Sequence, residues 1–453
     1  MLQKNDEIEL YIESLGSEGE GIGHFNDGMT VFVTDGLVGD RVLAHIMKVK
    51  KSYAYAFVSK NLEPSKDRVE APCPIAKKCG GCTLQHLAYE KQLEYKAGKV
   101  RDCIERIGSI KNPPMEPIVG ADNPFFYRNK AQFPVGTDKE GRTIIGFYRR
   151  HSHDVVDNTN CLIQAEVNGK IMSVTEEFLN ENHITAYNEE TGKGLLRHVF
   201  TRVGFVTKQI MVCLVINGTD FPNKEGYVEC LKKCLENTDF SLESVSLNVN
   251  TKNTNVIMGS ECRLVYGKLY IEDYINKIKF RISPLSFYQI NPIQTAKLYA
   301  LALEYAGLTG TETVWDLYCG IGTISLSLSQ KAQKVYGVEI VPEAIEDAKI
   351  NASINGIENA EFWVGAAEDV ADTLPKPDVI VVDPPRKGCD EKLLETIIKV
   401  SPKKVVYVSC DPATLARDLK YLTGNGYELI KVRPVDQFCH TSHVETVCSL
   451  SRN

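Results

Sequence analysis

Cys410 sits where an apolar run, Lys404 to Ser409, breaks into Cys410-Asp411-Pro412, and a thiol in that place has two very different uses. Ordinarily it is a small buried hydrophobe. The chemical use is covalent: carbon 5 of uracil is a poor nucleophile until a thiolate adds to C6 and turns the ring into an enolate. Once C5 has accepted a new group it still bears its hydrogen, so a base must remove that proton before the thiolate can leave. Glu445, in His443-Val444-Glu445, offers a carboxylate for that step, although a lone glutamate is more often a surface acid.

A donor for the new group has a place to bind. Thr313 to Thr323, TVWDLYCGIGT, reads as a strand, a glycine-bearing turn and a helix start, where open α/β sheets hold ligands. Gly320 and Gly322 let backbone approach a ligand closely. Glu339 closes the next strand, and an acid about twenty residues beyond such a turn suits a ribose diol. A dinucleotide fingerprint wants a third glycine where Ser325 stands. Asp316 before the turn and Asp383-Pro384-Pro385 after a later strand resemble the motifs of Rossmann-like methyltransferases instead, with Tyr318 placed to pack against the cofactor. Asp383 to Arg386 also resembles the D-P-P-Y motif of enzymes that methylate exocyclic amines of bases, a reaction with no use for Cys410.

A second set of thiols, Cys73, Cys79 and Cys82, has the spacing C-x5-C-x2-C. Clustered thiols in a reducing compartment favour metal over disulfides. Zinc is usually signalled by paired C-x2-C, and only one occurs here. The C-x3-C-x2-C of radical enzymes is absent. Cys213, Cys230, Cys234 and Cys389 have no constellation around them and read as core or incidental. Phe125 to Lys130 and Phe147 to His151 interleave aromatics with cations, a mixture that stacks bases and neutralises phosphates.

These residues need a scaffold, and 453 residues are too many for one ordinary domain. Residues 7 to 60 read as short strands broken by glycines, with turns at Asn26-Asp27-Gly28 and Asp35-Gly36, and suggest a small β-barrel. A polar linker, the thiol cluster, a helical stretch near 85 to 108 and a mixed region of strands follow. From 283 the pattern alternates: helix 291–306, strand 313–317, helix 323–330, strand 334–339, helix 342–355, strand 360–364, strand 377–382, helix 390–399, strand 403–409, helix 413–424. That predicts a parallel, doubly wound sheet. The formal charge is −7, against a simple nucleic-acid binder, yet residues 41 to 110 hold 14 Lys and Arg against 7 Asp and Glu. No signal peptide and no apolar run long enough for a membrane span is found, so a soluble, cytoplasmic protein is expected.

Phe287-Tyr-Gln289-Ile-Asn291, Asp316 to Gly322, Asp383 to Arg386, Val408 to Pro412 and His443 to Glu445 together resemble the RNA uracil-5-methyltransferases. The Gly19-Glu20-Gly21-Ile22 turn and its strands resemble the TRAM domain, an oligonucleotide-binding-like barrel, and with the thiol cluster extend the likeness to the 23S ribosomal RNA branch. The resemblance implies S-adenosylmethionine as cofactor, contacted by Gln289, Tyr318, Glu339 and Asp383, with Cys410 as nucleophile and Glu445 as base. It implies a [4Fe-4S] cluster on Cys73, Cys79, Cys82 and Cys161, with Cys103 the rival fourth ligand. The expected architecture is a TRAM-like barrel (1–60), a mixed α+β iron-sulfur domain (61–282) and a Rossmann-like methyltransferase domain (283–453). The expected partner is RNA, foremost 23S rRNA, with no membrane and the chain acting as a monomer. Competing readings are a tRNA uridine methyltransferase, an amine methyltransferase, and a non-catalytic iron-sulfur RNA-binding protein.

Overall fold

The computed structural model describes residues 2–26 and 28–452, so Asp27 of the expected turn lies outside them. Strands Glu7–Tyr11, Ser14–Leu15, Gly21–His24, Thr30–Thr34, Arg41–Val49 and Tyr53–Glu63 form one six-stranded sheet. Alternation sends Leu10, Val31, Val33, Val42, Ala44, Ile46 and Ala56 to one side, where they make a small core. The sheet curls until the residues after its first strand meet the third: Glu13 N–H donates to the Ile22 carbonyl at 2.8 Å. Gly23 is required there, because a Cβ would stand 2.6 Å from the Tyr11 carbonyl.

The middle of the chain is a second sheet of seven strands, from Lys130–Thr137 to Glu261–Gly267. Helices Val167–Glu181 and Lys224–Leu235 cover it, burying Ile171, Phe178, Tyr227 and Leu231 against Val199, Val212 and Leu214. Burying one such side chain is worth about 1.5–3 kcal/mol. A helix at Tyr89–Arg106 matches the expected helical stretch. Its Val100 and Ile104 pack not on this sheet but among Leu415, Leu419 and Val432 of the C-terminal core.

The third sheet has seven strands: β1 (Thr313–Leu317), β2 (Lys334–Glu339), β3 (Ala360–Val364), β4 (Val379–Val382), β5 (Lys404–Ser409), β6 (Tyr427–Val435) and β7 (Glu445–Arg452). Their order is β3-β2-β1-β4-β5-β7-β6. The first five are parallel, as expected, but β7 runs antiparallel to both β5 and β6, so the sheet is mixed rather than wholly parallel. The reason is covalent: β6 and β7 are joined by residues 436–444 with no helix between, and so direct a connection makes an antiparallel pair. Among the described residues no helix is long and apolar enough to cross a membrane.

Candidate active site and thiol cavity

The strand-to-helix elbow at 409–412 is built from its own residues. Asp411 caps helix Pro412–Gly424, its Oδ1 accepting from Ala413 N–H at 2.9 Å and Thr414 N–H at 3.0 Å, while Pro412 supplies the fixed φ of a first helical turn. Cys410 is left half-buried at the carboxyl edge of β5. Because β7 is antiparallel, its first residue arrives at that same edge. Ser409 pairs with Thr446, so Cys410 and Glu445 are the next residues in register. Asp383, directly after β4, and Arg386 complete the group.

Burial raises every acid of this site. Burial pushes the Cys410 thiol up to about 12, with Glu445 and then Asp383 adding to the rise and Arg386 opposing it. Glu445 is 3% exposed, and burial, then Asp383, hold its carboxyl well above the usual range, again against Arg386. No hydrogen bond reaches its Oε2. Asp383 is raised to about 7 by burial and by Asp316. Burial likewise raises Asp316 to about 7 although Ser325 Oγ donates to it at 2.5 Å, and its Oδ1 has no partner. A buried, under-partnered acid cluster at one sheet edge marks a candidate functional site.

The turn after β1 has the form a ligand needs. Tyr318, a non-glycine residue at φ +72°, turns the chain so that its N–H and that of Cys319 donate to the Val338 carbonyl. Gly320 follows at φ +54° with open space where a Cβ would be. Glu339 is fixed beside it: Oε2 accepts from Gly320 N–H at 3.3 Å and Oε1 from Val341 N–H at 3.1 Å. Gln289 is buried just before helix Pro292–Ala306, its carbonyl accepting from Asn129 Nδ2 at 2.9 Å. Tyr299, a residue of that helix that the sequence did not single out, bonds Thr323 Oγ1 at 2.8 Å and feels the charges of Asp383, Asp316 and Glu445. Only its helical spacing from Asn291 could have marked it.

Cys73, Cys79, Cys82 and Cys161 line one cavity of about 320 Å³ together with Arg128 and Lys130. Burial, then each other's charge, raises Cys82, and burial raises Cys161 to about 11. Arg150 organises the loop, donating to the carbonyls of Ala76, Cys79 and Cys82. Cys103 is elsewhere, packed against the C-terminal core and near Lys99 and Asp411. Four sulfur donors facing two cations, with Arg128 Nε unpartnered and Lys130 lowered to about 8 by burial, fit an anionic thiolate-bound group. Among the described residues, no three His, Cys, Asp or Glu form a group able to hold a single metal ion.

The interleaved segment at 125–130 is less open than its composition suggests. Tyr127 is buried and its hydroxyl donates to the Cys439 carbonyl; Asn129 is buried beneath Gln289. The barrel instead presents aromatics: Phe32, Tyr53 and Tyr55 contact one another at 5.4–5.8 Å, and Tyr55 is 43% exposed.

Comparison with known proteins matches residues 88–453 to the tRNA (Uracil-5-)-methyltransferase family and residues 2–58 to the TRAM domain. An uncharacterized RNA methyltransferase of Clostridium acetobutylicum is 49% identical over 457 residues, covering 100% of this chain and 98% of its own. Another, of Bacillus cereus, is 50% identical over 459 residues with the same coverage. The crystal structure of Pyrococcus abyssi tRNA (uracil-54, C5)-methyltransferase in complex with S-adenosyl-L-homocysteine superposes with a TM-score of 0.79 at 28% identity, covering 98% of this chain and 100% of that one.

Proposed function

The chain belongs to the tRNA (uracil-5-)-methyltransferase family of S-adenosylmethionine-dependent RNA methyltransferases and carries an N-terminal TRAM domain; from that premise we propose that it methylates carbon 5 of a specific uridine through a covalent Cys410 adduct resolved by Glu445. The observation that carries this reading is the meeting of Cys410 and Glu445 beside Asp383 at one edge of the sheet. Amine methylation would use Asp383 to Arg386 alone and leave that pairing without purpose.

S-adenosylmethionine supplies an electrophilic methyl group on a positively charged sulfur. Glu339, held by two backbone N–H groups, would take ribose hydroxyls; Tyr318, Gln289 and Asp383 would line the rest. Cys410 Sγ gives up its proton to water and adds to C6, and the electron pair displaced from the C5=C6 bond makes C5 nucleophilic. C5 takes the methyl group, Glu445 removes the C5 proton, and the returning electron pair expels the Cys410 thiolate. Arg386, the cation that opposes the rise in both groups, favours the anions each step needs. The uridine must leave its stack to enter, at a cost of a few kcal/mol that is smallest in a loop or bulge.

That Cys73, Cys79, Cys82 and Cys161 line one cavity supports a proposed [4Fe-4S] cluster on these four thiols, and a reaction that moves no electrons would leave such a group a structural role. The proposed target is 23S rRNA, with the enzyme working in the cytoplasm as a monomer. A second reading, transfer RNA, is favoured by the Pyrococcus structure: it matches almost this whole chain, so possession of a barrel does not separate the two targets. Mapping 5-methyluridine in ribosomal and transfer RNA of a deletion strain, complemented with wild type or Cys410→Ala, tests both. One uridine should lose its methyl group and regain it only with wild type; rescue by Cys410→Ala would overturn the mechanism.

A further inference from the structure

Glu445 is aimed by its backbone, since no hydrogen bond reaches its buried Oε2. On one side that backbone is fixed by pairing with Val435 and by Thr446 against Ser409. On the other lies the connection 436–444, almost all of it buried. A connection of that length would ordinarily be free to move, but here carbonyl after carbonyl is captured by a different part of the chain. Asp436 O accepts from Gln294 Nε2 at 3.1 Å and Gln437 O from Asn291 Nδ2 at 3.2 Å. Phe438 O accepts from Lys96 Nζ at 3.0 Å and Cys439 O from Tyr127 Oη at 3.0 Å. His440 O accepts from Thr83 and Leu84 N–H, both at 3.0 Å, and Ser442 O from Lys99 Nζ at 3.1 Å. The Asp436 carboxylate is held by Lys96 and by Tyr89 Oη, and both Lys96 and Asp436 are fully buried.

Such a network is costly to bury and stiff once complete. Its donors come from the helix Tyr89–Arg106, from the thiol segment, from Tyr127 and from the residues around Gln289, and it ends at the carboxylate that must reach one proton. We propose that residues 436–444 form a bracket that sets the position of Glu445, and that Lys96 and Tyr127 are positioning residues for the proton-removal step. Neither side chain contacts the reacting atoms; each acts through the loop. The inference rests on Glu445 being the base. Weakening the bracket should spare thiolate addition and methyl transfer and slow the last step, because displacing a catalytic group by about an ångström costs up to a hundredfold.

The test follows a methyl-labelled, denaturant-resistant adduct between the full-length protein and total RNA from a deletion strain. Glu445→Gln is the reference and should trap adduct. Lys96→Met should slow adduct breakdown about tenfold and Tyr127→Phe a few fold, with RNA KM nearly unchanged. Lys96→Arg should recover part of the loss. Tyr127→Phe removes one hydroxyl and keeps the volume, so it decides the matter if Lys96→Met fails to fold. If Glu445→Gln traps nothing, the base assignment has failed and the bracket loses its purpose. If Glu445→Gln traps adduct while Tyr127→Phe and any folded Lys96 variant resolve it at the wild-type rate, or lose methyl transfer itself, the bracket is refuted.

Discussion

Cys410 and Glu445 stand side by side because the strands that carry them run in opposite directions: β5 ends at Ser409, β7 begins at Glu445, and Ser409 pairs with Thr446. A wholly parallel sheet would put the start of β7 at the opposite edge, a strand length away. The single reversal of direction brings residues 35 positions apart in the chain to one point.

The thiol at that point should be slow to react in the free protein. With its pKa near 12, Cys410 is almost wholly protonated at pH 7, so alkylation by iodoacetamide should accelerate about tenfold per pH unit up to that range. Replacing Arg386 with Gln removes the cation that favours the thiolate and should slow alkylation further. Mass spectrometry of the peptide bearing Cys410 gives the rate; reactivity at neutral pH like that of an ordinary exposed cysteine would show that burial does not control this thiol.

Anaerobically purified protein should be brown with about four irons per chain, as a four-thiolate cubane requires. Cys161→Ser should lose the colour and the iron, because Cys161 lines the cavity with the other three thiols. Cys103→Ser should keep both, since Cys103 packs against the C-terminal core. Iron and zinc analysis decides; stoichiometric zinc in colourless protein would reassign the site.

The aromatic face of the barrel should bind RNA by stacking. Tyr55→Ala should weaken RNA affinity by about 1–3 kcal/mol, the loss of one stacked base, and leave S-adenosylmethionine binding unchanged. Removing residues 1–60 outright is a harsher test, because it also uncovers Leu84 and Leu87, which pack against Leu37. Filter binding across a salt series and calorimetry with the cofactor separate the two effects; equal RNA affinity for Tyr55→Ala would remove the barrel face from the RNA path.

Much of this was legible in the residues, and the remainder has identifiable causes. Strands 313–317, 334–339 and 360–364 fall where the apolar runs and the glycine turn put them. Tyr427–Val435 and Glu445–Arg452 escaped as strands because no helix-length pattern follows Tyr427 to extend the alternation of strand and helix. The missing helix was itself the signal for an antiparallel pair. Lys96 and Asp436 carry no local pattern at all: they meet across 340 positions, and a lone lysine in a charged helix reads as solvated until its partner is in view.

Asp316 and Asp383 lead to the last prediction. Both carboxyls are raised to about 7 by burial, against about 3.9 in an unfolded chain. Between those values the folded state holds protons the unfolded state has released, so the stability linked to these groups is fully present below about pH 4 and is lost as pH rises through about 7. His86, His198 and His440, each lowered to about 4 mainly by burial, drive stability the other way over much of that range, so the whole-protein curve is a poor test. The difference between wild type and Asp316→Asn isolates the effect. Asn is uncharged at every pH and nearly isosteric, so the variant should gain stability on wild type as pH rises from about 4 to about 7, by up to about 1.4 kcal/mol per unit, with its Tm rising relative to wild type over that range and the difference levelling off above it. The gain should shrink when S-adenosylmethionine is present, because its positive sulfur favours the ionised carboxylates of the wild type. Calorimetry at several pH values, with and without the cofactor, reads both; a Tm difference independent of pH would mean that Asp316 is ionised throughout and that its burial is compensated by its surroundings.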